Sequence, residues 1–254
     1  MTLLRRLTVR NYRGAPVPAV LGFLLVAGGA LAAAVGAWVG PISAADVVAS
    51  VAALLVALAG FVDDLVPGGP RGIRGHVVAL ANGQVSTGAM KVVVIIAASL
   101  TTVAASTRTG GLTRVSGVIL IAGATNLWNG LDVRPGRALK WFLLLAATGA
   151  LWWRHAPPFG IGVTLAALVA IFPDLRERAM LGDAGANLLG FTAGVALYTR
   201  SPSSWIPYAA AAMVVLNIVA DTVSFSRVIE AVPPLRWFDR IGTFRQDGAE
   251  KTGA

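Results

Sequence analysis

The sequence predicts an all-α fold, a polytopic membrane bundle of about eight transmembrane helices with both termini in the cytoplasm. Of its 254 residues, 56% are hydrophobic and only 13% are charged, whereas about a quarter of the residues in a typical soluble domain are charged. The apolar residues form consecutive segments close to the roughly 20 residues that a spanning helix needs. No long polar stretch divides them, so we assign residues 1–230 to one transmembrane domain and residues 231–254 to a cytoplasmic interfacial tail.

Eight apolar segments are predicted to be helices, and several breaks between them coincide with turn residues. Asp63-Asp64, followed by the Pro/Gly stretch 67–70, ends the second segment, and Gly130 with Pro135 ends the fourth. Some segments are short, and we expect their ends to lie inside the protein. The predicted segments are 17–39, 42–62, 88–106, 115–131, 138–153, 158–172, 184–199 and 205–225.

The region that follows the last segment is polar and basic. Residues 228–241 carry apolar side chains among charges, and the Pro233-Pro234 pair breaks any continuous helix there. This pattern predicts an interfacial segment that lies on the inner leaflet; the alternative is a catalytic lid.

The distribution of charged residues sets the predicted orientation. With the N-terminus inside, the cytoplasmic gaps hold all 21 lysines and arginines except Arg108, Arg114, Arg154 and Arg200, in agreement with the positive-inside rule. Of the 12 acidic residues, only Asp46 falls outside, although acidic residues contribute little to topology. A cytoplasmic active site would gather carboxylates in this way. The net charge of +9 is explained by topology and anionic lipid, so nucleic acid is not an expected partner.

Three aspartates at segment ends are candidates for metal and phosphate chemistry. Asp63 and Asp64 are adjacent, and Asp183 lies in the sequence Gly-Asp-Ala-Gly just before the seventh segment. Mg²⁺ binds one or two carboxylates together with water and substrate phosphate oxygens, and a helix N-terminus favours an anion. The simpler alternatives are a solvated turn for the aspartate pair and an N-cap for Asp183.

A run of amide and carboxyl side chains closes the fourth segment. Asn126, Asn129 and Asp132 are spaced three residues apart, which places them on roughly one face of a helix. Such a face suits hydrogen bonding to a polar ligand, for example a sugar or a base. Helix termination alone would explain Asp132 and Asn129, but it does not explain Asn126, which lies deeper in the apolar segment.

In order and sidedness, these motifs resemble those of the polyprenyl-phosphate N-acetylhexosamine-1-phosphate transferase superfamily. That group includes phospho-MurNAc-pentapeptide translocase and the UDP-GlcNAc:undecaprenyl-phosphate GlcNAc-1-phosphate transferases. Its pattern is an aspartate pair at a cytoplasmic helix end, an Asn-x-x-Asn-x-x-Asp run and a Gly-Asp-x-Gly segment, and all three occur here in that order. Residues 16–22 also look like the family's Pro/Gly-containing start of an early helix, so the resemblance covers roughly residues 11–230.

The resemblance implies a Mg²⁺-dependent phospho-glycosyltransferase of the cell membrane, a multi-pass protein with its active site on the cytoplasmic face. It would move a sugar-phosphate from a UDP-sugar to polyprenyl (undecaprenyl) phosphate and release UMP, in cell-envelope polysaccharide or peptidoglycan biosynthesis. The partners would be the polyprenyl phosphate, the UDP-sugar and membrane lipids, with a homodimer left open. Asp63, Asp64 and Asp183 would be catalytic, with Asp183 and Asp64 at the metal. The residues implied in substrate binding are Asn126, Asn129, Asp132, Lys91 and Arg134.

The chain departs from the family pattern in several respects. Neither histidine lies beyond His155, so the family's His-rich C-terminal loop has no counterpart, and Asp132 is followed by Val133 where the family has glycine. The chain is also shorter than typical members. The candidates to supply the missing positive charge are Arg134, Arg137, Arg236 and Arg240.

Two other functions are compatible with a membrane bundle. A catalytically degenerate scaffold or lipid-phosphate-binding protein of the same fold is the alternative to an enzyme. A transporter agrees less well with the sequence, because coupling carboxylates usually lie near the membrane midplane, whereas the carboxylates here are predicted at one face.

Overall fold

The computed structural model describes residues 7–66, 86–152, 156–223 and 225–243, and within these ranges the chain is mainly α-helical. Each of the eight predicted segments overlaps one long helix, so the all-α class is confirmed. The long helices are α1 (Leu21–Val39), α2 (Ala44–Leu65), α3 (Thr87–Ala105), α4 (Gly111–Leu131), α5 (Arg137–Trp152), α6 (Pro158–Leu175), α7 (Gly182–Arg200) and α8 (Ile206–Thr222). Two short helices follow, α9 (Phe225–Ala231) and α10 (Pro233–Arg240).

Five helical stretches of the described chain are long and apolar enough to cross a membrane. They are α1, α2, α3, α6 and the stretch Ser203–Thr222 that contains α8, with mean hydropathy between 1.5 and 2.3. By length and composition the chain is therefore a multi-pass membrane protein. Of the other predicted spans, α5 has only 16 residues and α7 carries glycines, an aspartate and an asparagine. Eight spans with both termini in the cytoplasm remain a prediction.

Helix α7 is the centre of the bundle. It packs against α1, α2, α4 and α5, and Leu188, Leu189 and Phe191 on it are fully buried. Its sequence is rich in glycine and alanine, which allows the neighbouring helices to approach closely. Around it, α1 packs on α6, α2 on α3, and α4 on α8. The peripheral helices turn apolar side chains such as Leu31 and Val169 outward, as expected of a surface that faces lipid.

The start of the described chain differs from the sequence prediction. The sequence predicts a helix from residue 17, but α1 begins at Leu21. Before it, strands β1 (Thr8–Arg10) and β2 (Pro16–Pro18) pair antiparallel as a short hairpin. Proline fixes φ and has no N–H to donate, so two prolines in three residues suit a short edge strand and disfavour a helix interior.

The chain passes up and down through the bundle, so the ends of α2, α4 and α6 meet the starts of α3, α5 and α7 at one end, here called the site end. The hairpin lies there too, because Ala19 bridges to Met180 and the N–H of Leu21 donates to the carbonyl of Met180 at 3.1 Å. Met180 lies two residues before the start of α7. The hairpin therefore packs beside the start of the central helix.

The C-terminal segment breaks where its proline pair predicts. Helix α9 ends at Ala231, and Pro233 starts α10, because proline is tolerated in the first turn of a helix but not in its interior. The predicted interfacial position of this segment on the inner leaflet stays a prediction. The last part of the tail, residues 244–254, lies outside the described residues.

Helix α10 is fastened to the start of α5 by a buried ion pair. Arg137 is 1% exposed, and its Nε and Nη2 donate to the two carboxylate oxygens of Asp239 at 2.7 and 2.8 Å. The Nζ of Lys140 donates to the backbone oxygen of Asp239 at 2.5 Å. The rings of Trp141 and Phe238 pack beside the pair, with centroids 5.0 Å apart. The C-terminal helices are therefore part of the packed structure.

Removal of one partner of this pair should destabilise the protein. Burial would raise the pKa of Asp239, but the hydrogen bonds and charge of Arg137 hold that pKa below its ordinary value. The contribution of the pair is thus present above about pH 4 and is lost as the pH falls through the lowered pKa. At neutral pH, Asp239→Ala should cost about 3–5 kcal/mol, since it leaves a buried guanidinium unpaired. Thermal unfolding in detergent measures this loss.

The double variant Arg137→Met/Asp239→Leu is the control. It removes both charges and refills the space with apolar atoms, so it should recover most of the stability. A double variant as unstable as Asp239→Ala would show that the unpaired guanidinium is not the cause of the loss.

Candidate functional site

The acidic residues selected from the sequence meet at the site end. Asp63 and Asp64 lie in the last turn of α2, and Asp183 lies in the first turn of α7. Lys91 is in the first two turns of α3. Because α2 runs toward this end while α3 and α7 run away from it, residues far apart in sequence become neighbours.

Lys91 joins Asp63 to Asp183. Its Nζ lies 2.7 Å from Oδ2 of Asp63 and 2.5 Å from Oδ2 of Asp183, and Thr87 Oγ1 donates to the other oxygen of Asp63 at 2.6 Å. The side chain of Lys91 is 13% exposed and that of Asp183 is 34% exposed, so Asp183 is reachable from solution. Two carboxylates that share one ammonium define a position that accepts a cation.

Asp64 fixes the start of α7. Its two carboxylate oxygens accept the backbone N–H groups of Asp183 and Ala184 at 3.1 and 3.2 Å. These are N–H groups that a helix leaves without partners in its first turn, and the helix dipole favours a negative charge there. Asp64 therefore caps a helix other than its own and sets the position of Asp183.

Two glycines permit this close approach of α2 to α7. A Cβ at Gly60 would lie 2.6 Å from the carbonyl oxygen of Asp183. Gly182 has φ +65°, in the left-handed region that favours glycine, and a Cβ there would lie 2.8 Å from Oδ2 of Asp64. A side chain at either position would push the aspartate pair away from Asp183.

Asp132 extends the acidic cluster from the loop between α4 and α5. It directly follows α4. Burial raises the pKa of Asp132 well above its ordinary value, and the negative charges of Asp174, Asp183 and Asp64 raise it further. Four acidic residues from four chain segments are thus close enough to influence one another.

Asp174 positions the loop that carries Asp132. It is buried near the end of α6, and its Oδ2 accepts the N–H of Gly136 at 2.6 Å. From the sequence, Asp174 is one of the acidic residues predicted on the cytoplasmic side, with no predicted role. The signal that could have identified it is an aspartate directly after Pro173, at the end of an apolar segment.

The three polar side chains of the Asn-x-x-Asn-x-x-Asp run do not meet at one place in the structure. Asn126 donates to Oδ1 of Asn217 on α8 at 2.6 Å, and Nδ2 of Asn217 donates to the carbonyl of Gly123 at 2.9 Å. Asn129 is half-buried at the end of α4. Of the three residues, the structure brings Asp132 to the other carboxylates and places Asn126 against α8.

The arginines expected to supply positive charge differ in their partners and in their exposure. Arg134 donates from Nη1 to Oε1 of Glu230 at 3.1 Å, and Arg240 donates to Oε2 of the same residue at 2.9 Å. Both line a polar cavity of about 400 Å³. Arg137 is buried against Asp239, so its charge is not available to a ligand, and Arg236 is exposed on α10.

The acidic cluster offers few ligands for Mg²⁺. Among the described residues, no group of three or more His, Cys, Asp or Glu side chains could hold a metal ion. Mg²⁺ commonly uses only one or two protein carboxylates and takes its other ligands from water and phosphate. Asp63 and Asp183 could supply these two carboxylates, because both contact the position that Lys91 Nζ occupies. Asp64, which the resemblance assigns to the metal, already accepts an N–H group at each oxygen.

An apolar groove leads to the same cluster. It runs between α2 and α3, has a volume of about 640 Å³ and is lined by aliphatic side chains such as Val51, Leu55 and Val94. Thr87 and Lys91 line it at the site end. The groove thus joins the apolar side of the bundle to a cationic group.

No protein-family model, curated protein or solved structure matches the chain. The geometry of the site and the order of its motifs are therefore the basis for inferring a function.

Lys91→Met should expose the repulsion between the two carboxylates that Lys91 joins. In metal-free buffer we expect a loss of stability on the order of 2 kcal/mol, because charged hydrogen bonds are lost at a partly buried site. Added Mg²⁺ should restore part of this loss, since a divalent ion can take the place of the ammonium. The measurement is the shift of the thermal midpoint with Mg²⁺, compared with the wild type.

The matched control is Lys91→Met/Asp63→Asn, which removes the repulsion together with the cation. It should be more stable than Lys91→Met and respond less to Mg²⁺. If Lys91→Met shows no response to Mg²⁺, Asp63 and Asp183 do not form a shared cation position.

Asp132→Asn should stabilise the protein at neutral pH. The pKa of Asp132 is raised in the folded state, so the ionised carboxylate opposes folding. This penalty is absent below the ordinary pKa of about 4 and grows as the pH rises toward the raised folded-state value. The gain in thermal midpoint over the wild type should therefore be larger near about pH 8 than near about pH 4. An equal gain at both pH values would contradict this origin.

Proposed function

We propose that the protein is a Mg²⁺-dependent glycosyl-1-phosphate transferase of the cell membrane, active at the cytoplasmic face. It would transfer a sugar-phosphate from a UDP-sugar to a polyprenyl phosphate, with release of UMP, in cell-envelope polysaccharide or peptidoglycan biosynthesis. The observation that carries the proposal is the group Asp63, Lys91 and Asp183 at the end of an apolar groove. The order of the three sequence motifs supports the same function.

The groove between α2 and α3 supports a long-chain lipid phosphate as the acceptor. Its aliphatic walls would hold part of the prenyl chain, and Lys91 with Thr87 would meet the phosphate at the site end. A lipid held in this way is confined to two dimensions and presented in one orientation, which raises its effective concentration at the site.

In the proposed reaction, an oxygen of the lipid phosphate attacks the sugar-proximal phosphorus of the UDP-sugar. A new P–O bond forms, and the bond from this phosphorus to the oxygen that bridges the two phosphates breaks. The bridging oxygen keeps the electron pair and leaves as part of UMP. A phosphate monoester is largely ionised near neutral pH, so the attacking oxygen needs no dedicated base.

The residues of the chain would contribute mainly charge and position, as in other phosphoryl transfers. Lys91 would balance the charge of the lipid phosphate, and Asp64 would keep the start of α7 in place. Asp183 and Asp63 would hold the Mg²⁺ ion. When bound, Mg²⁺ supplies positive charge against phosphate oxygens.

A catalytically degenerate scaffold or lipid-phosphate-binding protein is the second candidate. One observation favours it: the ammonium of Lys91 already lies between Asp63 and Asp183, where the ion would bind. Such a protein would bind polyprenyl phosphate without Mg²⁺ and would turn over no sugar nucleotide.

A transfer assay separates the two candidates. Membranes that contain the protein, incubated with radiolabelled UDP-sugars, undecaprenyl phosphate and Mg²⁺, should yield labelled lipid. Asp183→Asn should lower the rate by about 100-fold or more. Asp46→Asn is the matched control, because Asp46 lies in the first turn of α2, at the opposite end, and it should leave the rate unchanged.

The assay has two other informative outcomes. Binding of undecaprenyl phosphate with no product from any UDP-sugar would favour the scaffold. Neither product nor lipid binding, from protein shown to be folded, would refute both candidates.

Ala97→Trp should block the lipid groove. Ala97 lines the groove and is exposed, so an indole there occupies the space of the prenyl chain without disturbing the core. We expect the KM for the lipid to rise about tenfold, which corresponds to about 1.4 kcal/mol, with little change in the KM for the UDP-sugar. Leu31→Trp is the matched control, since Leu31 is exposed on α1. An unchanged lipid KM in Ala97→Trp would place the acceptor elsewhere.

A further inference from the structure

Two neighbouring cavities at the site end share part of their lining. One has a volume of about 320 Å³ and is lined by Asp132, and the other has a volume of about 400 Å³ and is lined by Arg240. We call the two cavities together the hairpin trough, because residues of the β1–β2 turn line both of them. The lining residues common to both cavities are Tyr12, Arg134, Pro135 and Glu177.

Tyr12 is held at a fixed place in the wall of the trough. The turn that carries it is closed by Asn11, whose Oδ1 accepts the N–H groups of Arg13 and Ala15 at 3.0 and 2.9 Å. The side chain of Tyr12 is nevertheless 51% exposed. The guanidinium groups of Arg13 and Arg134 lie 5.2 and 6.0 Å from the centre of its ring. An exposed aromatic ring beside guanidinium groups is a surface on which planar bases stack.

The hairpin is also tied to the loop that precedes α7. Nδ2 of Asn11 donates to Oε2 of Glu177 at 2.7 Å, and Arg13 lies 3.4 Å from the other oxygen of Glu177. The wall of the trough is therefore built in advance of any ligand. Preorganisation of this kind reduces the entropy that a ligand loses on binding.

In the trough, the guanidinium of Arg134 can exchange its carboxylate partner for another anion. Arg134 and Arg240 both donate to Glu230, one to each carboxylate oxygen. If Arg134 turned to a phosphate, Glu230 would keep Arg240 as a partner and would not be left unpaired. Guanidinium binds phosphate with the same paired geometry that it uses for a carboxylate. A phosphate can thus replace Glu230 at Arg134 at low cost.

The position of the trough links it to the acidic cluster. Asp132 lines the same cavity as Tyr12 and Arg134 and lies within electrostatic range of Asp183 and Asp64. A ligand that extends from Tyr12 past Arg134 to Asp132 would therefore approach the acidic cluster that holds Lys91. The groove between α2 and α3 approaches the same residues from the apolar side.

We propose that the hairpin trough is the nucleotide subsite, an inference that rests on the function proposed above. The uracil base stacks on Tyr12, and Arg134 exchanges Glu230 for the phosphate of the nucleotide. Asp132 lies on the side toward which the sugar-phosphate extends. The β1–β2 hairpin and the C-terminal helices thereby form the binding site for the nucleotide.

Binding of UMP to the purified full chain in detergent tests this inference. By calorimetry, Tyr12→Ala should weaken UMP binding about tenfold, because base stacking is lost. Tyr12→Phe keeps the ring and loses only the hydroxyl contacts to Arg13 and Glu177, so it should weaken binding much less. Glu230→Gln should strengthen binding several-fold, because it removes the competitor of the phosphate at Arg134. A purely structural role of these residues would not produce tighter binding. Tyr208→Ala is the matched control, since Tyr208 is an exposed tyrosine near the start of α8, away from the site end.

The outcomes separate this inference from the proposed function. Tyr12→Ala that binds UMP like the wild type, or a wild type that binds no UMP, would overturn the inference. If the wild type makes lipid product and Tyr12→Ala leaves the KM for the UDP-sugar unchanged, the transferase stands and the subsite is elsewhere. If UMP binding depends on Tyr12 but no product forms, the subsite stands and the transferase does not.

Discussion

The carboxylate of Asp64, bound to the first N–H groups of α7, is the contact on which the rest of the site depends. Helix α7 is the centre of the bundle, so this contact fixes the end of α2 against the core. The next residue back, Asp63, then points about 100° away around the helix and meets Lys91. The two adjacent aspartates thus have different partners, Asp64 at the start of α7 and Asp63 at Lys91, so one carboxylate could not make both contacts.

The site lies where two different surfaces meet. The apolar groove between α2 and α3 is lined by Lys91 at the site end. The polar trough is lined by Asp132. A transferase that moves a sugar-phosphate from a sugar nucleotide to a lipid phosphate must bring together a water-soluble substrate and a membrane-bound one. In the proposed function, the acidic cluster is the point where those two environments touch, and the charges of Lys91 and Asp183 bridge them.

The sequence predicted the features that depend on local composition, and it did not predict those that depend on long-range contacts. Apolar segment lengths located the eight long helices of the described residues, and the sidedness of charge pointed to a meeting of Asp63, Asp64 and Asp183. The hairpin was not predicted, because prolines next to an apolar segment are equally typical of the first turn of a helix. The pairing of Asn126 with Asn217 and of Arg137 with Asp239 joins residues about a hundred positions apart, and neither residue type nor spacing identifies such partners. Asp64 as a cap for α7 could not be separated from a metal ligand, since both tasks require a carboxylate at a helix end.

Helix α7 also has a consequence for how the protein is made. Its glycines, its aspartate and its asparagine suit a position enclosed by other helices but give it little affinity for lipid by itself. During synthesis it would be poorly retained in the bilayer until it packs against α2 and α4, which precede it, and its first N–H groups bind the carboxylate of Asp64. We therefore expect the insertion of α7 to depend on helices that are inserted before it. A destabilising substitution in α2 should then lower the amount of inserted protein.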